Sequence, residues 1–342
     1  MEPYISFVVA SRNDNHGEDM LRRMQLFVNG LLHQTRKFKL QAELIFVEWN
    51  PPKNKPLLHE VLPKPTANDV LTIRYIIVPE EIHHKYKTSD VIPLYQMIAK
   101  NVGIRRAKGQ FILCTNIDLL FSDDLFKILS SHQLSAQCFY RANRCDIPAT
   151  IEPGWSFDRQ MDYAKQHIMR RFGMQYYYKN LADALPVFYK YPLLATVIDN
   201  LTGIKRRLFN KGNLEHIVRQ LDVQACGDFT MMSKGAWLDI QGYLELDMYS
   251  IHIDSLGIYA AAALGYQQVV FPPDACTYHI DHKNGWESMT PVEKIKFVEQ
   301  RPGLGYDIMY DTSRYLIKNK LRYNLNKPDW GYEGYDFKEI DY

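Results

Sequence analysis

The chain lacks any apolar run long enough to cross a membrane. Its longest, "ISFVVA" and "YAAAALGY", fall far short of the roughly 20 residues that a spanning helix needs. The N-terminus carries no basic segment followed by an apolar stretch and a small-residue cleavage site, so no secretory signal is expected. No CxxC pair occurs. The five cysteines stand singly at 114, 138, 145, 226 and 276, which argues for reduced thiols in a cytoplasmic setting and against a disulfide framework. An excess of one charge is also missing. With 41 basic against 39 acidic residues and a net charge of +2, the chain has no field suited to nucleic acid, and none is expected as a partner. There is no internal repeat, and 46% hydrophobic residues with 23% charged ones excludes a disordered chain.

What the sequence does have is aromatic residues, 13% of the total with 23 tyrosines. Such enrichment serves a large core or the lining of a ligand cleft. It also has alternating strand and helix patterns. "YISFVVA" (4–10) reads as a buried strand opening into the turn formers "SRNDNHG". From Glu18 a helix follows, its apolar face made by Leu21, Met24, Phe27, Leu31 and Leu32 at spacings of three and four. "AELIFVEW" (42–49), "VLTIRYIIV" (70–78) and "QFILCTNID" (110–118) read as further strands, and "VIPLYQMIAKNVGIRRA" (91–107) as a helix. This order predicts an α/β fold, a Rossmann-like mixed central sheet flanked by helices. In open α/β sheets the ligand lies at the carboxyl ends of the strands. Here those ends carry Ser11 to Asn15, Glu48 to Asn50 and Asn116 to Asp118, all polar.

Residues 150–225 differ in texture, interleaving aromatic and basic residues, and read as a mostly helical insertion. The strand and helix pattern returns at Ala225. The tail "RYNLNKPDWGYEGYDFKEIDY" is turn-rich and reads as an extended wrap over the core. On the strand 110–118, period-2 geometry puts Asn116 and Asp118 on one face at the end of a buried segment. A carboxylate there is costly unless paired or bound to metal, although a cap for the following "LLFSDDLF" is an equally local use for it.

These pieces together resemble the GT-A glycosyltransferases, and the first half is most similar to the large inverting family that includes many bacterial sugar transferases. The counterparts of its Thr/Ser-x-Asn loop are Ser11, Arg12 and Asn13. Glu48 stands for the acid that contacts the base. Ala99, Asn101, Gly103, Ala107 and Gly109 follow its helix signature, and Asn116-Ile117-Asp118 its DxD metal motif. The first acidic position of that motif is an asparagine here, which removes one charge. The segment "GDFTMMSKGAWLDIQGYLE…HIDSLGIYAAAALGY…YHIDH" resembles the acceptor half of galactosyltransferase-like GT-A enzymes. That resemblance implies Asp254 as catalytic base, with His252 where a first acid would stand, His279 as a metal ligand and His282 as a second candidate. For Asp254 a helix N-cap competes with the catalytic role, and for His279 the competing role is that of a structural histidine after a buried strand.

The resemblance implies residues 1–125 as the nucleotide-sugar-binding half of a GT-A domain and 126–224 as a connecting segment and insertion. It further implies 225–290 as the acceptor and catalytic half, and 291–342 as a C-terminal helix and tail. It implies a donor that is a nucleotide sugar, a UDP-sugar first among them, a carbohydrate or other hydroxyl acceptor, and a divalent cation, Mn²⁺ or Mg²⁺. Such hard cations take carboxylate oxygen, and Mn²⁺ also accepts imidazole. Gly227, Asp228 and Trp286 are expected to border the acceptor. Within 165–211, Arg170, Arg171, Lys179, Lys190, Lys205, Arg206, Arg207 and Lys211 form a candidate contact for an anionic surface or peripheral membrane, or simply the solvated faces of helices. Three rivals remain open. They are a non-catalytic sugar- or nucleotide-binding descendant, a nucleotidyltransferase (for which the single glycine of "SRNDNHG" is too few), and a metal-dependent hydrolase built on His252, Asp254, His279 and His282.

Overall fold

The computed structural model describes residues 2–172, 218, 220–282, 290–322 and 326–342. Most of the basic and aromatic insertion, including Lys179, Lys190, Lys205, Arg206, Arg207 and Lys211, lies outside the described residues, as does Trp286.

The N-terminal half follows the expected order: β1 (Ile5–Ser11), α1 (Met20–Lys37), β2 (Ala42–Trp49), the single turn α2 (Leu58–Val61), β3 (Leu71–Val78), the single turn α3 (Glu80–His83), α4 (Gln96–Arg106) and β4 (Phe111–Thr115). β1 pairs in parallel with β2 and with β4, and β2 with β3. α4 starts five residues later than the pattern suggested. Pro93 biases the residue before it away from helical geometry, and the helix begins once it is passed.

Beyond β4 come β5 (Leu119–Phe121), α5 (Asp123–Leu129), β6 (Cys138–Arg141), β7 (Arg144–Ile147), α6 (Phe157–Gln166) and β8 (Arg170–Phe172). After the insertion follow β9 (Phe229–Ser233), α7 (Lys234–Asp239), α8 (Ile253–Ala263), β10 (Gln267–Val270), β11 (Thr277–Ile280), α9 (Pro291–Glu299), α10 (Tyr306–Asn319) and β12 (Lys338–Asp341). The large sheet has the order β10-β6-β9-β4-β1-β2-β3-β12 and is mixed, since β9 is antiparallel to both β4 and β6 and β12 is antiparallel to β3. A second sheet has the order β5-β11-β7-β8. The mixed sheet with flanking helices agrees with the α/β class expected from the sequence.

Alternation along β1 divides the core between the two faces of the large sheet. Phe7 and Val9 pack with Met24, Phe27 and Leu31 of α1, while Val8 and Ala10 pack with Ile98 and Val102 of α4 and with Leu256 and Ala260 of α8. α4 lies so close to the sheet that a Cβ on Gly103 would stand 2.5 Å from Val8 Cγ1. The tail does wrap back as expected. Trp330 is buried, and β12 covers the edge of β3 that would otherwise be unpaired.

Candidate metal and acceptor site

The second sheet assembles the site. β11 runs antiparallel to β5 and parallel to β7, which puts His279 in register with Leu119 on one side and Asp146 on the other. The Ile280 amide donates to the Asp118 carbonyl at 2.9 Å, so the end of the β4–β5 segment and the strand carrying His279 are stitched together. Asp118 and His279, 161 positions apart, therefore meet. His279 Nε2 lies 3.6 Å and His282 Nε2 3.4 Å from Asp118 Oδ2.

Several features of the chain fit a divalent cation here. Ligand atoms of Asp118, His279 and His282 all lie within 4.8 Å of one another. Asp118 Oδ1 is buried and has no hydrogen-bond partner among the described residues, a costly state unless something charged meets it. One carboxylate and two imidazoles form a donor set that suits Mn²⁺ and its neighbours. His279 Nδ1, the nitrogen turned away from Asp118, is 3.2 Å from Asp146 Oδ1 and 3.0 Å from Arg144 Nη2. With its proton on Nδ1 facing Asp146, the ring presents the Nε2 lone pair toward Asp118, the arrangement that carboxylates behind metal-binding histidines impose. Arg23 also reaches the Oδ2 oxygen of Asp118, with Nη1 at 3.1 Å, and leaves Oδ1 free.

The electrostatics follow from that crowding. Burial alone would push the Asp118 carboxyl up, but His279 and His282 outweigh it and hold it well below the usual range. Asp146 is likewise raised by burial and brought down to about 2 by His279 and Arg144. His279, lowered by burial and by Arg144, is carried up to about 9 by Asp118 and Asp146. Without a cation the cluster is thus a charged network.

From this network polar contacts lead to the Gly227–Asp228 turn, beside which Asp254 lies. Arg144 donates to Asp146 Oδ1 at 2.6 Å and to Asp228 Oδ2 at 3.0 Å. Asp228 follows Gly227, and a Cβ built on Gly227 would lie 3.0 Å from Asp254 Oδ2. Lys100, fully buried on α4, donates to Asn116 Oδ1 at 3.0 Å and to the Gly227 carbonyl at 2.9 Å. Burial pushes its ammonium down, and Cys114, Asp228 and Asp254 offset this only in part.

Several expected site residues have close partners within the chain. Asp254 is not the N-cap of its helix. His252 holds that place in a left-handed conformation without a side-chain cap bond, and Asp254, two residues on, accepts from the Ser255 amide at 2.9 Å. Its charge still favours the first turn through the helix dipole. Glu48 is fully buried, and its carboxylate oxygens accept from the Leu58 amide at 2.9 and 3.1 Å. Asn101, also fully buried, commits its carboxamide to the backbone of Tyr243 and to Glu245. Asp228 is 5% exposed and both its oxygens are engaged, by Asn116 and by Arg144.

At the end of β1, Ser11 is buried against Met24, Arg12 donates to the Pro93 carbonyl at 2.8 Å, and Asn13 donates to the Pro56 carbonyl at 2.9 Å. Arg12 and Asn13 are half-buried at the mouth of the loop. The sequence reading passed over Arg23, Lys100, Arg144 and Asp146. The one available signal was "RCDI", which places Arg144 and Asp146 on the same face of a strand.

No protein-family model matches the chain, and no curated protein sequence matches it. Among solved structures, the chain is similar to GalNAc-T7 with UDP, GalNAc and Mn²⁺ at 11% identity and a TM-score of 0.44, over 93% of this chain and 48% of that one. It is similar to S. aureus TarS 1-349 in complex with UDP-GlcNAc at 11% identity and a TM-score of 0.46, over 94% of this chain and 72% of that one. The chain thus spans about half the length of the first of these, and neither likeness assigns a role to any residue.

Proposed function

We propose that this protein is a glycosyltransferase that moves a sugar from a nucleotide-diphosphate donor, a UDP-sugar first among candidates, to an acceptor hydroxyl by single displacement with inversion. The observation that carries the reading is the meeting of Asp118, His279 and His282 in one cluster, joined through Arg144, Asp228 and Gly227 to Asp254. A divalent cation bound by that cluster supplies Lewis-acid stabilisation to a departing diphosphate.

The rest of the chemistry belongs to the chain. Asp254, half-buried at the start of α8, accepts the acceptor's hydroxyl proton as that oxygen attacks the anomeric carbon and the bond to the diphosphate breaks. Asp146 holds the His279 ring in place through Nδ1, and Arg144 in turn fixes Asp146, so the donor side needs little reorganisation during transfer. The half-buried Arg12 and Asn13 at the mouth of the β1 loop are the groups available to the nucleoside end of the donor. None of the described helices is long and apolar enough to cross a membrane.

The test is release of nucleoside diphosphate from a panel of nucleotide sugars with Mn²⁺, comparing the wild-type chain with Asp254→Asn. The substitution should lower turnover by about 10²–10⁴-fold while leaving donor binding within about twofold. Near-normal turnover in Asp254→Asn removes the base assignment. Binding of a donor with no turnover by the wild type favours a non-catalytic sugar-nucleotide-binding protein, a reading that the asparagine at 116 supports.

A further inference from the structure

Asn116 is half-buried, and its carboxamide is used on both sides. Its Oδ1 accepts from Lys100 Nζ at 3.0 Å and from Gln96 Nε2 at 2.8 Å, and its Nδ2 donates to Asp228 Oδ1 at 2.6 Å. These partners set the orientation of the amide, because the reverse would turn its NH₂ toward the ammonium and its oxygen toward the carboxylate. Asp228 in turn accepts from Arg144 at Oδ2, and its backbone carbonyl accepts from Thr115 Oγ1 at 2.7 Å. Position 116 therefore needs an acceptor on one side and a donor on the other. A second carboxylate there would put two anionic oxygens at the 2.6 Å now spanned by a hydrogen bond.

We propose that Asn116 and Asp228 are a matched amide–carboxylate pair whose two members are interchangeable as a unit, and that they are positioning residues for Asp254. The pair joins the end of β4, next to the cation ligand Asp118, to the Gly227–Asp228 turn against which the Asp254 carboxylate rests. Lys100 anchors both ends, bonding Asn116 and the Gly227 carbonyl. With the members exchanged, every bond survives. A carboxylate at 116 accepts from Lys100, Gln96 and the new amide, and an amide at 228 donates toward 116 while its oxygen accepts from Arg144. Either single exchange breaks the pattern: Asn116→Asp sets carboxylate against carboxylate, and Asp228→Asn turns an NH₂ toward either the Asn116 NH₂ or the Arg144 guanidinium. The asparagine in the first position of the DxD-like motif is in this view matched to Asp228, and the carboxylate of the pair stands in the turn just before β9.

The positioning role rests on the function proposed above, whereas the pairing does not. A double-mutant cycle separates them, with Asn116→Asp, Asp228→Asn and the double variant compared in thermal unfolding and in steady-state diphosphate release. Each single change should lower Tm by about 3–6 °C and kcat by about 10–100-fold, with donor KM within about threefold. The double variant should recover both to within about 2 °C and threefold of the wild type. Additive losses overturn the pairing. Recovery of Tm with kcat left at the single-variant level overturns the positioning role. Coupling in Tm alongside a wild type inactive on every donor upholds the pair and counts against the transferase reading alone.

Discussion

Gly227 shows how little room the site has at the level of one side chain. A methyl group there meets Asp254 Oδ2 at 3.0 Å, closer than side-chain carbons ordinarily approach, and the backbone at 227 has no left-handed geometry that would itself require glycine. Gly227→Ala should therefore act through Asp254 and not through strain. We expect kcat to fall by about 10–100-fold with Tm within about 2 °C of the wild type, as read by paired kinetics and thermal unfolding. A Tm loss matching the loss of activity would mean the turn and not the carboxylate is disturbed. At this scale the sequence was partly legible. Asp118 and His279 stood out because a carboxylate at a strand end and a histidine after a strand have few cheap uses when buried. Lys100 did not stand out, since a lysine inside a helix reads as solvent-facing until the burial of that face is known. The internal bonds of Glu48 and Asn101 were hidden from the sequence for the same reason. Motif position placed them at a ligand, and local backbone amides and carbonyls hold their side chains.

Elements carry their own chemistry, and the end of β2 is the clearest case. Glu48 is wholly enclosed beneath the turn α2, and burial raises its carboxyl from the ordinary 4.5 to about 7, against the opposing pull of the Leu58 amide. The folded chain thus keeps a proton on Glu48 where the unfolded chain has lost it. The sign follows from linkage: stability from this group is complete below about pH 4.5 and is lost as pH rises through 7. The loss amounts to about 3 kcal/mol, or about 4 °C in Tm for a chain of this size. Glu48→Gln should flatten the Tm profile between pH 5 and 8 and raise Tm at the alkaline end. An unchanged slope in the variant would show that other groups set it.

Element by element, the long strands and α1 were readable because they offer seven or more residues over which to count a period. β5, β7 and β11 offer three or four, too few to count, and they are the strands that bring Asp118, His279 and Asp146 together.

Across the whole molecule, the candidate cation ligands come from segments far apart in the chain. Asp118 closes the first half, while His279 and His282 belong to the segment after the insertion. A ligand that needs both halves in place binds the folded chain and not the unfolded one, so it must raise Tm by mass action. At a concentration about 100 times its Kd, the gain is about 2.7 kcal/mol, or about 4 °C here. Mn²⁺ added with UDP should produce a saturable rise of that order, and a chelator should return Tm to the UDP-only value. His282→Ala is the informative variant. His282 is only half-buried, and its removal leaves the Asp118–Arg23 and His279–Asp146 contacts standing. The variant should keep the metal-free Tm within about 2 °C while losing most of the Mn²⁺ response. If the wild-type Tm ignores Mn²⁺, the cluster is a structural ion network, in which the imidazoles hold down Asp118, and His279 with Arg144 holds down Asp146. A response that survives in His282→Ala but disappears in Asp118→Asn would instead shift the ligand set toward Asp118 and His279, leaving His282 as a neighbour.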